Sequence, residues 1–183
     1  MNVSLYTINS FLILDHEGKR LFAKYYQQAE PIQKQFENEL KIFNKVNKLN
    51  QDILIYQNKL IVYKQINDVI IIIISNLDEN ESLVYSLLSN VSESLTILLD
   101  NTIDKLTILQ KFDIVSLCID EAIDDGIILE MDSSVLVSRV TNPPSNVMAQ
   151  DINLNKIDLS EKGLFNALSF ASKKIGERLQ QGL

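Results

Sequence analysis

The sequence has few of the residues from which catalytic and metal sites are commonly built. Its 183 residues include one cysteine, one histidine, five glycines and no tryptophan. A single cysteine excludes both an intrachain disulfide and a cysteine-based zinc site. No glycine-rich phosphate loop, zinc-ligand spacing or nucleophile motif appears along the chain. We therefore expect no enzyme activity, no cofactor and no bound metal.

The histidine and the cysteine both have simple structural interpretations. His16 lies in a short polar segment that we predict to be an exposed turn, with no nucleophile or carboxylate indicated as its partner. Cys118 lies between Leu117 and Ile119, which favours a buried and unreactive thiol. No catalytic residue is predicted.

Positive charge is also scarce. The 17 Lys and Arg residues are outnumbered by 24 Asp and Glu, which gives a net charge of −7. Such a surface repels nucleic acid and anionic lipid at long range. No signal peptide is recognisable, and the longest apolar run, Val69–Ile74, is far too short to span a bilayer. These features predict a soluble intracellular protein that does not bind nucleic acid.

What the sequence does contain is an apolar fraction of 46%, enough for a packed core. Its first recognisable unit is a predicted hairpin between Phe11 and Tyr26. Two β-compatible runs flank the polar turn Asp15–Lys19, in which Gly18 can adopt the positive φ that a tight turn often needs.

Three further strands are predicted at 53–56, 60–64 and 69–74. The last is a continuous β-branched run, typical of a central strand that is covered and flanked on both edges. Before these strands, Pro31 opens an amphipathic helix predicted over 31–46. One face of this helix is predicted to lie on the sheet, and its residues are Ile32, Phe36, Leu40 and Phe43.

The second half of the chain has helical periodicity. A long helix is predicted from about Glu81 to Leu99, with an apolar face formed by Leu83, Leu87, Val91, Leu95 and Leu98. The order of elements predicts an α+β fold in αβα layers, with helices on both faces of a five-stranded, mainly antiparallel sheet. Strands three to five form a meander in this arrangement, and the helix between strands two and three allows a crossover.

A second helical stretch is predicted over 103–125, with a break near Phe112. One face of its latter part carries Ile114, Leu117, Cys118 and Ala122. Gly126 suits the position just after a helix C-terminus. Asp132 can cap a short last helix that ends near Val140.

A prolyl linker divides the chain. We predict a domain over 1–141, a linker over 142–159 that contains Pro143 and Pro144, and an amphipathic tail helix over 160–183. The apolar stripe of the tail could contact the core, a partner or a membrane, and contact with a partner protein is favoured. The stripe residues predicted to form this interface are Leu164, Leu168, Ala171 and Ile175.

An acidic cluster follows Cys118 and comprises Asp120, Glu121, Asp124 and Asp125. Helical spacing places Asp120 and Asp124 one turn apart on one face. A solvated acidic end is the simplest interpretation. The principal functional alternative is a patch that pairs with Lys or Arg of a partner, so Asp120 and Asp124 are added to the predicted interface. Divalent-metal binding would need more oxygen ligands at defined spacing.

Several blocks of the sequence resemble the zeta subunits of coatomer, within the sigma-like family of adaptor small subunits. The blocks occur in the same order and are Ser4–Thr7, Phe11–Asp15, Gly18–Tyr26, Phe36–Glu37, Ile42–Lys45, Val62–Lys64 and Ile119–Glu130. This resemblance covers essentially the whole chain. It implies a longin-like fold and a non-catalytic small subunit of the COPI vesicle coat.

The same resemblance implies partners and a location. It implies pairing with the gamma-type large subunit, membership of the coatomer heptamer, and indirect recruitment by an Arf-family GTPase. The chain would then act at the cytoplasmic face of Golgi membranes and on COPI-coated vesicles, in Golgi-to-ER and intra-Golgi transport. The alternative is a longin-type regulator of a small GTPase or of a SNARE outside a coat.

One departure from the related sigma subunits concerns peptide signals. Those subunits bind acidic dileucine signals partly through an arginine of the second strand, and the aligned position here is Leu21. Arg20 is predicted to point to the opposite face of that strand. Dileucine binding is therefore not expected of this chain.

Overall fold

The computed structural model describes residues 6–26, 31–48 and 51–142. Residues 143–159 of the predicted linker, the predicted tail helix at 160–183 and its four interface residues lie outside this part of the chain. The domain boundaries therefore remain predictions.

The described chain contains seven strands and five helices in an order close to the predicted one. The strands are β1 (Ile8–Asp15), β2 (Arg20–Tyr25), β3 (Ile53–Tyr56), β4 (Lys59–Ile66), β5 (Val69–Asn76), β6 (Ile123–Asp124) and β7 (Ile127–Ile128). The helices are α1 (Ile32–Val46), α2 (Glu81–Leu98), α3 (Lys105–Gln110), α4 (Phe112–Ala122) and α5 (Ser133–Thr141). Asp132 caps α5 as predicted, because its side chain accepts the N–H groups of Ser134 and Val135.

The main sheet has the order β2-β1-β5-β4-β3, and each pairing is antiparallel. The β-branched run in β5 is central, as predicted, because both of its edges are paired and its residues are buried from Val69 to Ser75. The connection through α1 carries the chain from the β2 edge to the β3 edge. The predicted crossover and meander are therefore confirmed.

Helices cover both faces of this sheet. On one face, side chains of α2, α4 and α5 form a large apolar core with alternate residues of β1, β4 and β5. On the other face, α1 supplies Ile42, Phe43 and Val46 to a smaller core. The predicted αβα layering is confirmed by these two clusters.

The predicted contact face of α1 is wrong over most of its length. Only Phe43 of the four predicted residues is buried, whereas Ile32, Phe36 and Leu40 have exposed fractions of 65%, 49% and 50%. The residues that α1 buries are Gln35, Glu39, Ile42, Phe43 and Val46. Two polar positions lie on the sheet because β2 supplies polar partners for them, as described below.

The second helical stretch also differs from its prediction. It breaks at Lys111 and ends at Ala122, and the residues after it form the small β6–β7 hairpin. Asp120 and Asp124 therefore do not share a helical face. On α4, Leu117 is 43% exposed, and Val115 and Ile119 take buried positions beside Cys118 and Ala122.

Two turns of the sheet are bound to one short segment, residues 103–105. In the β1–β2 turn, the carboxylate of Asp15 contacts Lys105 Nζ at 2.8 Å. In the β4–β5 turn, Asn67 Nδ2 donates to the carbonyl of Ile103 at 2.8 Å, and Asp68 Oδ1 accepts the backbone N–H of Lys105 at 3.0 Å. The start of α3 thus joins two hairpins that are far apart in sequence.

Candidate partner-binding surface

The acidic part of the predicted interface lies where α4 meets the β6–β7 hairpin. Asp120 and Asp124 are both exposed, on α4 and β6 respectively. Asp120 accepts a hydrogen bond from Lys24 Nζ at 2.6 Å, so a cation of β2 already neutralises part of this patch. Arg139 does the same nearby, because it lies 3.6 Å from Glu121 and 3.2 Å from Glu130.

Tyr26 lies beneath these carboxylates. Burial raises the pKa of its phenol above the ordinary value, and the negative charges of Asp120 and Asp124 add to that rise. Lys24 Nζ stands 5.2 Å from the ring centroid. The hydroxyl of Tyr26 is buried without a hydrogen-bond partner among the described residues.

The turn between β6 and β7 holds the acidic patch against β1. Asp125 and Gly126 both have positive φ, 47° and 81°, as a two-residue hairpin turn requires. A Cβ at Gly126 would lie 2.5 Å from the carbonyl oxygen of Ile8, whose N–H donates to the carbonyl of Gly126 at 3.0 Å. Gly126 is therefore a turn residue after β6 and not the helix end that the sequence predicted.

A row of exposed apolar side chains runs along α3 into α4. Leu106, Leu109 and Phe112 follow one another at a spacing of three residues, with exposed fractions of 65%, 50% and 44%. The Phe112 ring packs against Phe22 of β2 at 5.8 Å between centroids. This row was not predicted from the sequence. The sequence did contain a signal for it, because apolar residues recur at a spacing of three in a helix that is too short to bury both of its sides.

A second exposed apolar row lies on α1, above a buried polar network. Arg20 Nε donates to Glu39 Oε2 at 3.0 Å, and Arg20 Nη2 donates to Gln35 Oε1 at 3.2 Å. Tyr25 Oη donates to Glu39 Oε1 at 2.7 Å. The Arg20 guanidinium also lies 4.2 Å from the ring centroid of Phe36, so it spans the buried network and the exposed row.

The same geometry tests the predicted faces of β2. Arg20 points towards α1, and Leu21 packs on the opposite core. The opposite orientation of these neighbours is confirmed. Leu21 thus contributes an apolar side chain to the larger core.

The two residues considered for catalysis lie where the sequence predicted. His16 is exposed in the β1–β2 turn, and Cys118 is fully buried in the larger core. Burial raises the pKa of the Cys118 thiol to about 12, which leaves it protonated at neutral pH.

The described residues contain neither a metal-binding cluster nor a membrane-spanning helix. Within residues 6–26, 31–48 and 51–142, no group of three or more His, Cys, Asp or Glu side chains could hold a metal ion. No helix in the same residues is long and apolar enough to cross a membrane.

Comparison with known proteins gives a consistent family. The family model of the clathrin adaptor complex small chain matches residues 7–146. Coatomer subunit zeta of Saccharomyces cerevisiae is 38% identical over 100% of this chain and 99% of its own length. Human coatomer subunit zeta-1 is 33% identical over 86% of this chain and 87% of its own, and a probable coatomer subunit zeta-A of Dictyostelium discoideum is 37% identical over 92% and 99%.

The fold also has a structural counterpart. A chain of a homology model of the full-length AP-3 complex in a stretched open conformation aligns with a TM-score of 0.60 and 17% identity, covering 73% of this chain and 90% of that one. At this identity the likeness concerns the fold alone, and it agrees with the longin-like sheet and helices described above. These matches do not favour a longin-type regulator outside a coat. The chain belongs to the adaptor small-chain family, among its coatomer zeta subunits.

Proposed function

We propose that this chain is a non-catalytic small subunit of the COPI coat and that it pairs with a gamma-type large subunit. The observation that carries the proposal is the match to yeast coatomer subunit zeta over 100% of this chain and 99% of that protein. A relationship that spans essentially the whole of both chains supports a shared role more strongly than a match to one segment would.

The surface is suited to binding a protein. Exposed apolar side chains that are grouped in rows, as on α3–α4 and on α1, are typical of protein interfaces. A large subunit that covers such a row would remove apolar area from water. The neighbouring charges of Asp120 and Asp124 add polar contacts at the margin of such an interface.

The tail contributes a separate contact in this proposal. Its apolar stripe, Leu164, Leu168, Ala171 and Ile175, binds a coat partner and not a membrane. Deletion of residues 147–183 should therefore weaken assembly and leave the described core folded. Loss of cooperative unfolding after this deletion would contradict that division.

In this proposal, the location of the chain in the cell follows from its assembly into the coat. The chain reaches the cytoplasmic face of Golgi membranes and COPI-coated vesicles as part of the coatomer heptamer, and an Arf-family GTPase acts on it indirectly through that complex. Its role is in Golgi-to-ER and intra-Golgi transport. The net charge of −7 opposes direct adsorption to anionic lipid.

Co-purification tests the proposal. The full-length chain and the gamma-type large subunit of the same cell are co-expressed, and we expect a stable heterodimer. The double variant Leu106→Glu and Leu109→Glu should lose the dimer if the α3–α4 row is the contact. Leu129→Glu, which charges an exposed leucine elsewhere, is the matched control. A folded chain that captures no large subunit would contradict the proposal.

A further inference from the structure

The strand β3 leaves one edge of the main sheet open. Within the described residues it pairs only with β4. An exposed edge strand is usually protected by charge, proline or a bulge, because its unpaired backbone groups can bind another strand. The segment Ile53–Tyr56 contains neither a charged residue nor a proline, and its four residues pair in unbroken register with β4. This edge is therefore competent to accept a strand.

The register determines which backbone groups face outwards. Tyr63 N–H donates to the carbonyl of Asp52 at 2.9 Å, so the 52–63 pair is a hydrogen-bonded pair of the ladder. Such pairs alternate along an antiparallel ladder. Ile53 and Ile55 are therefore in non-hydrogen-bonded pairs with β4, and their N–H and C=O groups point to the open edge.

A groove lined by lysines borders this edge on the α1 side. It is an open depression of about 440 Å³ lined by Lys41, Asn44, Lys45, Lys48, Leu54 and Tyr56. Its three lysines are exposed, and none is in an ion pair with another described residue. Lys45 Nζ lies 4.7 Å from the centroid of the Tyr56 ring. This lysine groove is a local positive site on an acidic protein.

The other side of the edge is apolar. Ile53 and Ile55 point to the α2 side, with exposed fractions of 38% and 62%. Tyr85 of α2 and Ile53 line an adjoining open depression together with Asp52 and Glu81. Carboxylates here would repel an acidic side chain, whereas the isoleucines can pack against an apolar one.

We propose that the open edge of β3 binds an extended segment of a partner protein in which carboxylate and apolar side chains alternate. The segment adds a strand to the sheet through the backbone groups of Ile53 and Ile55. Because successive side chains of a strand point to opposite faces, every second residue faces the lysine groove and the others face the isoleucines. The two unlike faces select a specific alternating pattern.

Charge disfavours two other occupants of the β3 edge, a second copy of the chain and an anionic lipid surface. Pairing of β3 with β3 of a second copy would bring two sets of Lys41, Lys45 and Lys48 towards each other, and their repulsion would weaken it. An anionic lipid surface would satisfy the lysines but not the open backbone groups, and the overall charge of −7 would repel it.

A synthetic peptide provides the first test. The probe is acetyl-Glu-Val-Glu-Ile-Glu-Val-amide, titrated into the full-length chain and followed by backbone amide NMR. We expect binding at least about tenfold tighter than that of acetyl-Glu-Glu-Glu-Val-Ile-Val-amide, because the second peptide cannot separate its acids from its apolar residues. The bound probe should protect the amides of Ile53 and Ile55 from hydrogen exchange. Equal affinity for both peptides would overturn the proposal.

N-methylated probes test the added strand without altering the protein. Methylation of one backbone nitrogen should abolish binding when its N–H faces β3, and methylation of the next residue should have little effect because its N–H faces solvent. Equal tolerance of both methyl groups would overturn the proposal. Protection of Ile53 and Ile55 in the free chain would do so too, since the edge would already be occupied.

Protein variants test the two sides of the site. Ile55→Pro removes an outward N–H and should reduce probe affinity about tenfold, while Ile55→Thr keeps that N–H and should bind more tightly than the proline variant. Lys45→Glu should weaken binding about fivefold more than Lys34→Glu, a control on the same helix outside the groove. Binding of phosphatidylserine vesicles that depends on Lys45 and is not displaced by the probe would overturn the proposal in favour of a lipid site.

Discussion

The two faces of the sheet achieve burial in different ways. The face covered by α2, α4 and α5 is sealed by side chains such as Leu87, Val91 and Leu95, which are 0% exposed. The opposite face is covered by α1, which buries Glu39 and Gln35 with exposed fractions of 1% and 8% and leaves apolar side chains in solvent. The layer of several helices is held by apolar contacts, whereas this single helix has polar side chains at two of its five buried positions.

This difference explains where sequence periodicity succeeds. An apolar stripe indicates the buried face when the surroundings of a helix are mainly apolar. On α2, four of the five predicted residues are buried, and only Leu83 is exposed, at 37%. On α1 the arginine of β2 provides a partner for a carboxylate, so a charged position can be the buried one. The apolar stripe of α1 is then available for a partner protein.

The largest expected effect is a difference in stability between two leucine variants, one on each face of the sheet. Leu95→Ala on α2 should lower the free energy of unfolding by about 3 kcal/mol, because it removes buried methyl groups and leaves a cavity. Leu40→Ala on α1 should change it by less than about 0.5 kcal/mol, because half of that side chain is exposed. Urea unfolding of both variants measures the difference. Similar losses would show that α1 is as tightly packed as α2.

The buried network on α1 should come next. Glu39→Ala removes the acceptor of Arg20 and Tyr25 and should cost about 2 kcal/mol, below the range for fully buried ion pairs because the Arg20 side chain is 22% exposed. Glu37→Ala, at an exposed position of the same helix, serves as the control. If both variants unfold at the same urea concentration, the network does not hold α1 in place.

Acid should weaken the contact between the β1–β2 turn and α3. Burial would raise the pKa of Asp15, but hydrogen bonds from Lys105 and from the backbone of Lys19 and Glu17 outweigh it and hold the pKa below the ordinary value of 3.8. A lowered pKa means that Asp15 stabilises the fold fully above the unfolded value and loses this contribution as the pH falls through the folded value.

The variant Asp15→Asn measures that contribution. It should cost about 2 kcal/mol at neutral pH, where a buried charge-assisted contact is lost. Its deficit relative to the natural chain should shrink as the pH falls from about 4 through the lowered pKa of folded Asp15, because the natural carboxylate then becomes protonated. Urea midpoints across this range check the result, and a deficit that is independent of pH would contradict it.

The smallest expected effect concerns two ion pairs of β2, one on each face of the sheet. Lys24–Asp120 lies on the α4 side with side chains that are 33% and 47% exposed, whereas Glu39 is only 1% exposed beside Arg20. Asp120→Asn should therefore change stability by about 0.3 kcal/mol, several times less than Glu39→Ala. Thermal unfolding at low and high salt measures both. A larger loss of stability for Asp120→Asn than for Glu39→Ala would show that the acidic patch stabilises the fold.

The sequence was informative wherever one rule dominated. Gly18 and Asp132 predicted a turn and a helix cap because backbone geometry leaves few alternatives at such positions. The central place of β5 followed from its β-branched run. The β6–β7 hairpin could not be predicted, because Ile123 and Asp124 continue a helical pattern and only the packing of Gly126 against Ile8 ends it.

Less of the candidate site than of the fold could be predicted from the sequence. Acidic residues are visible in a sequence, but the cations that neutralise them, Lys24 and Arg139, lie on β2 and α5 and meet Asp120 and Glu121 only in the folded chain. The lysine groove was hidden for the same reason. Lys41 and Lys45 belong to α1, Lys48 follows the end of that helix, and the apolar wall belongs to β3.

The bonds from the start of α3 to two sheet turns have a consequence for how the molecule opens. A local opening that frees residues 103–105 must release Asp15 in one turn and Asn67 and Asp68 in another. Amides of the β1–β2 and β4–β5 turns should therefore exchange with solvent as one cooperative unit, at a single opening free energy. A partner that covers α3 would slow both turns together, so binding at one helix would be detectable at two distant points of the sheet.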